Sequence, residues 1–272
     1  MDVYVEATLD PLGAAERGAA AADWFEKALS GPLAELAYQE ERSEHGVHSG
    51  TSIRQSEGSR RLHLSHLGRN RARLKEELEK SPDLVVTEFY GDDILGRVQS
   101  SYFPVEGDWS KLVVALQAGP ARLADPTYCT GLVEFLAQAL DALDPAFARI
   151  ERDVFSDWSN IEAVLSRDLD ESLPEDREFL RGYAWVTVCP EELARRLGGA
   201  AALSASGAFH RVVALGTGGV LLQASETVAG YTDQVMERVF TALAPVLPEG
   251  EPQADPAHPT MRFVPRDAAQ AR

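Results

Sequence analysis

The stretch from Gly182 to Leu247 constrains the fold more than any other, because its hydrophobic period changes several times within one short module. GYAWVTV is an apolar run of strand length. CPEELARRL then fits a short helix, with Pro190 at the first helical position, Glu191 and Glu192 at the positive end, Arg195 and Arg196 at the other, and Gly198 as the stop. A small-residue link follows, including Ser204 and Ser206. FHRVVAL and VLLQA flank a glycine turn as a hairpin, and YTDQVMERVFTALAPVLP closes as an amphipathic helix. This order predicts an α+β fold, a mostly antiparallel sheet packed by helices.

The rest of the chain repeats that alphabet. Val3 and Val5 alternate with Tyr4 and Glu6 in an opening strand that stops at Asp10-Pro11. An alanine-rich helix runs from Ala14 to Leu29, breaks at Gly31-Pro32 and continues towards Glu41. The Ser-, Gly- and His-rich stretch that follows holds either a hairpin, around TSIRQ and RRLHLSHL, or a mobile loop. NRARLKEELEK is a short helix closed by Ser81-Pro82. DLVVTEFYG, RVQSSYFPV and SKLVVALQAG are three consecutive strands, Pro104 marking an edge or a strand end. A helix over Pro126 to Leu143, a strand in FARIERDVF and a capped helix or turn in SDWSNIEAVLSRDL complete the pass. The prediction is one domain over 1–248, with 1–144 and 145–248 as two candidate ferredoxin-like halves. A poorly ordered, proline-rich tail over 249–272 follows.

At 272 residues with 44% hydrophobic side chains, the chain is long enough to bury a real core. No apolar run approaches the ~18 residues of a membrane span, and the N-terminus is acidic, unlike a secretory signal. These features predict a cytoplasmic protein without membrane partners. Cys129 and Cys189 are far apart and read as buried thiols of a reducing compartment, although their pairing stays open. The net charge of −17 argues against nucleic-acid binding by the surface as a whole and favours encounter with a basic partner. One basic island interrupts it: Arg54, Arg60, Arg61, Arg69, Arg71, Arg73 and Lys75 against Glu57. Those bases either pair with acids such as Glu76, Glu77 and Glu79 or meet an anion or a partner.

Chemistry is poorly signposted. His45, His48, His63 and His66 fall in two pairs of zinc-like spacing but without a Cys or an HExxH companion, so no metal ligand is assigned. Glu151, Asp153 and Asp157 cluster as acid-rich composition produces by chance. Gly216, Gly218 and Gly219 match neither GxGxxG nor GxxxxGK[ST], and a strand follows them where a phosphate site needs a helix N-terminus. No GxSxG is present, and no His lies near Cys189 to act as its base. The residues therefore suggest no catalytic group and no cofactor, which leans away from an enzyme.

GYAWVTV, the helix ending RLGG, the hairpin VVALGTGGVLLQAS and the closing LAPVLP resemble the type VI immunity family of bacterial toxin inhibitors. The likeness rests on residues 180–248. Over the first 150 residues it is an order of elements, with strands such as YGDDILGRVQSSYFP, and the alanine- and arginine-rich N-terminal half departs from the pattern. The resemblance implies an immunity protein that binds and neutralises a cognate toxin, acidic where the toxin is basic. The candidate contacts are then Asp92, Asp93, Glu106 and Asp108 in the turns between the middle strands. Tyr102, Phe103 and Trp109 serve as aromatic anchors or as core. The alternative is an enzyme or ligand-binding protein that takes an anionic small molecule in an α+β cleft. A homo-oligomer through exposed sheet edges also stays open.

Overall fold

The computed structural model describes residues 3–43, 45–104, 108–152, 158–254, 256 and 259–272. In chain order, β1 (Val3–Leu9) leads into α1 (Ala14–Ser30) and α2 (Ala34–Glu41). The hairpin of β2 (His48–Gln55) and β3 (Arg60–Ser65) follows, then α3 (Leu67–Leu78). β4 (Leu84–Tyr90), β5 (Ile94–Phe103) and β6 (Trp109–Leu116) form a meander before α4 (Pro120–Leu123) and α5 (Pro126–Leu140). The second half runs β7 (Pro145–Arg152), α6 (Asn160–Val164), α7 (Leu169–Ser172), β8 (Val186–Cys189), α8 (Glu191–Arg196) and α9 (Gly199–Ala205). It ends with the hairpin β9 (Arg211–Ala214) and β10 (Val220–Gln223), then α10 (Asp233–Leu243).

The ten strands of the described residues lie in one antiparallel sheet, in the order β3-β2-β4-β5-β6-β1-β7-β8-β10-β9. The fold is α+β, as expected. β1 joins the halves by pairing with β6 on one side and β7 on the other.

Burial along the strands separates two kinds of surface. In β2, Ser49, Thr51 and Ile53 are buried while His48, Ser52 and Arg54 are exposed, and β4 alternates in the same way. Such strands have one face in the core and one in water. β1, β6, β8 and β10 are buried along their whole length, so both their faces are covered. The shared core face packs under α1, whose Trp24 and Phe25 are 1% and 2% exposed. Trp24 meets Phe135 of α5 edge-on at 5.0 Å. Burial of each such aromatic stabilises by about 1.5–3 kcal/mol.

Several local features differ from the sequence expectation. The His-rich stretch is the β2–β3 hairpin rather than a mobile loop. GYAWVTV becomes strand only at Val186. Before that, Ala184 N donates to Thr187 Oγ1 at 2.9 Å instead of to a neighbouring strand, while Trp185 Nε1 donates to Ser225 O at 2.9 Å and Trp185 O accepts from Ala224 N at 2.9 Å. Pro190 is the residue before the helix rather than its first. The small-residue link is the helix α9, because alanine is the best helix former and Gly198, at φ +85°, lets the chain restart. In the β9–β10 turn only Gly218 needs positive φ, at +94°. Gly219 is required by close approach, since a Cβ there would lie 2.9 Å from the Cys189 carbonyl oxygen.

Among the described residues after Pro248, regular structure is a short 3-10 turn at Ala268–Ala271. Val264 and Ala268 are buried, Gln253 N donates to Val164 O at 2.8 Å, and Val264 N donates to Tyr183 Oη at 2.8 Å.

Candidate functional site

Strand register lines up His63, Ser52, Val86, Gln99, Val113, Glu6, Arg149 and Thr187 as one row across eight strands, on the face opposite α1. Along that row the side chains pass from exposed, through half-buried, to fully buried. One end is an open polar sheet face. The other is a closed ionic layer.

The closed end begins at Glu6 of β1, whose Oε2 lies 3.2 Å from Lys111 Nζ on β6 and 3.5 Å from Arg149 Nη2 on β7. Arg149 reaches Glu151 at 2.9 Å and donates to the Trp158 carbonyl at 3.1 Å. The chain that crosses this face supplies Arg181, which forks onto Glu162 and donates from Nη1 to Thr8 Oγ1 at 2.8 Å. Glu162 also accepts from Ser159 N at 2.7 Å, while Ser159 Oγ accepts from Glu162 N, closing a capping box at α6. Three acids and three bases thus balance where isolated charges could not be buried.

Burial alone would raise the Glu6 carboxyl, but Lys111, Arg149 and Arg181 outweigh it and hold it at about 2. Burial, with the Glu6 charge, pushes the Tyr4 hydroxyl up to about 12. Burial also raises Glu151. Glu6 stays ionised and Tyr4 stays protonated at neutral pH, so the layer acts as a clamp between strands and crossing chain. Near it, burial and the charge of Asp10 push Asp176 up to about 7 against Arg181 and Arg177. Arg177 itself ties three segments together, reaching Asp10, Asp144 and Glu192.

Sequence reasoning singled out none of Glu6, Lys111, Arg149, Glu162 or Arg181. The available signal was a lone charge inside an apolar strand, in VYVEATL, SKLVVAL and AFARI.

The candidate partner contacts fall into two groups. Asp92 and Asp93 are exposed in the β4–β5 turn, flanked by Tyr90 and Ile94, themselves 37% and 44% exposed. Tyr102, Phe103, Asp108 and Trp109 lie at the other end of β5, about 30 Å away at roughly 3.3 Å per residue. There Phe103 stacks on buried Trp109 at 4.1 Å. Tyr102 donates to Asp108 and turns towards α1, under the Arg17 guanidinium at 3.6 Å. Glu106 lies outside the described residues, as do Asp153 and Asp157.

The basic island is partly paired. Arg60 meets buried Glu77 at 2.8 Å, and Lys80 meets the same carboxylate at 2.9 Å. Arg54, Arg61, Arg69, Arg71, Arg73 and Lys75 are exposed and make no ion pair among the described residues. His63 stands on the open face, where a Cβ at Gly50 would come within 3.2 Å of its ring and 3.3 Å of Tyr90 Oη. His66 lies at the start of α3 near Glu40, with Nδ1 3.6 Å from Oε1. No group of three His, Cys, Asp or Glu among the described residues is placed to hold a metal. Burial pushes the Cys189 thiol up to about 12, opposite to the lowering a reactive thiol needs.

No protein-family model matches this sequence, and no curated protein matches it. Among solved structures the fold is similar to that of the Pseudomonas aeruginosa T6SS protein PA0821. The TM-score is 0.61 at 14% identity, over 99% of this chain and 80% of that one. At that identity the likeness is one of fold, and it spans both halves rather than residues 180–248 alone. No helix among the described residues is long and apolar enough to cross a membrane.

Proposed function

We propose that this chain is an immunity protein that neutralises a cognate bacterial toxin by stoichiometric binding in the cytoplasm. The observation that carries the reading is the likeness of fold, over nearly the whole chain, to a T6SS protein. The net charge of −17 supports a basic toxin, since a single-sign field speeds capture of the opposite charge. The ionic layer fits a binding scaffold. It fixes β1, β6, β7 and the crossing chain, so that surface turns are presented without an ordering cost at the moment of binding.

Of the two ends of β5, the β4–β5 turn is the better contact. Asp92 and Asp93 supply charge, while Tyr90 and Ile94 supply two of the three exposed large apolar side chains among the described residues, the third being Tyr38. At the other end Trp109 is buried and Tyr102 is engaged with Asp108 and Arg17.

The test is growth protection. The chain is co-expressed with the toxin-like domain encoded by the neighbouring gene. The proposal expects growth to be restored, and continued killing at full expression of the folded chain would sink it.

A further inference from the structure

Six exposed basic residues of this acidic protein gather on one edge. Arg54 and Arg61 face each other directly across the β2–β3 ladder, on the same side of the sheet. Like charges so placed repel. α3 continues the edge with Arg69, Arg71, Arg73 and Lys75, all exposed and none ion-paired among the described residues.

Beside them runs a groove of about 390 Å³ between α1 and α3. Phe25 and Leu29 of α1 and Leu74 and Leu78 of α3 form its floor, each no more than 5% exposed, with Arg71 and Lys75 on the α3 rim and the exposed carboxylate of Glu26 on the α1 rim. Those two cations are one helical turn apart and share a side of α3.

We propose that this groove docks an acidic amphipathic helix from a protein partner. A groove between two helices accepts the apolar ridge of a third; the unpaired cations of the α3 rim select carboxylates along that flank, while Glu26 keeps them off the α1 side. Nucleic acid fits less well. Tyr38, Tyr90 and Ile94 are the exposed large apolar residues of the described chain, so neither α1 nor α3 offers a base-stacking ring. Elsewhere the surplus of acid repels such a helix, which fixes where it binds and how it is oriented. This inference does not rest on the immunity reading, because the partner is defined by its chemistry alone.

The probe is a fluorescein-labelled peptide of about 16 residues, with Leu at helical i, i+3 and i+4 spacing and Glu elsewhere. Anisotropy at low salt is expected to show saturable one-to-one binding. Arg71→Glu with Lys75→Glu should weaken it at least about tenfold, and exchanging the peptide's Leu for Ala should do the same. Both cations are exposed and unpaired, so the variant's thermal melt should be unchanged. Arg195→Glu, on α8, should leave binding intact. No saturable binding, no effect of the double variant, or equal affinity for the Leu-free peptide would overturn the proposal. So would a single-stranded oligonucleotide that binds more tightly through the same two residues. Concentration-dependent self-association lost in the double variant would overturn it too, in favour of a second copy of the chain.

Discussion

Arg181 and Glu162 face each other inside the protein, Nε to Oε1 at 2.6 Å and Nη2 to Oε2 at 3.3 Å, with side chains 2% and 1% exposed. This fork bolts the crossing chain to the sheet, because Arg181 also reaches Thr8 of β1. Glu162→Gln leaves a buried guanidinium without its counter-charge and is expected to cost about 3–5 kcal/mol. Replacing both residues by Met and Leu should cost less than the two single changes together. Denaturant titration of the single and double variants checks this.

Glu6 and Asp176 give opposite pH trends. Glu6 is held at about 2 in the fold against an ordinary 4.5, so its contribution is complete above that ordinary value and lost as pH falls towards 2. Asp176 is raised from 3.8 to about 7, so its contribution is complete at low pH and lost as pH rises through neutrality. Melting temperature should therefore decline from about pH 5 to pH 7 in the native chain, level off above that, and stay flatter in Asp176→Asn. Parallel declines in both proteins would remove Asp176 as the cause.

Two glycines should respond in opposite directions. A Cβ at Gly182 would lie 2.7 Å from Ser159 Cβ and 2.8 Å from Asn160 Oδ1, so Gly182→Ala is expected to destabilise by about 1–3 kcal/mol. Gly131 sits exposed within α5 with nothing within 4 Å of the added carbon, and Gly131→Ala should stabilise by about 0.5–1 kcal/mol. Calorimetric melts of the two variants give the comparison.

If the β4–β5 turn contacts the toxin, Asp92→Lys with Asp93→Lys should slow association about tenfold at low salt and lose that effect at high salt. Tyr90→Ala with Ile94→Ala should speed dissociation instead, with stability changed by no more than about 0.5 kcal/mol. Stopped-flow binding separates the two rates.

What the sequence disclosed was local. Alternation in β2 and β4, the glycine turn at Gly218 and the apolar spacing of α5 each follow from a few neighbouring residues, and the sheet-and-helix class follows with them. What stayed hidden depends on distant pairing. Glu6, Lys111 and Arg149 are far apart in the chain, and only the β6–β1–β7 register brings them together. The same holds for the candidate contacts. Asp92 and Trp109 are near in sequence, yet β5 carries them to opposite ends of a strand. α9 was hidden for another reason: alanine and serine without an apolar period resemble a link until Gly198 and Gly199 set the chain direction.

Titration calorimetry of the purified chain into a toxin-like domain encoded by the neighbouring gene tests whether the chain binds a toxin stoichiometrically. A one-to-one complex is expected, with an affinity that falls as salt is raised. The absence of any heat of binding between two folded proteins, at low salt and micromolar concentration, would contradict it.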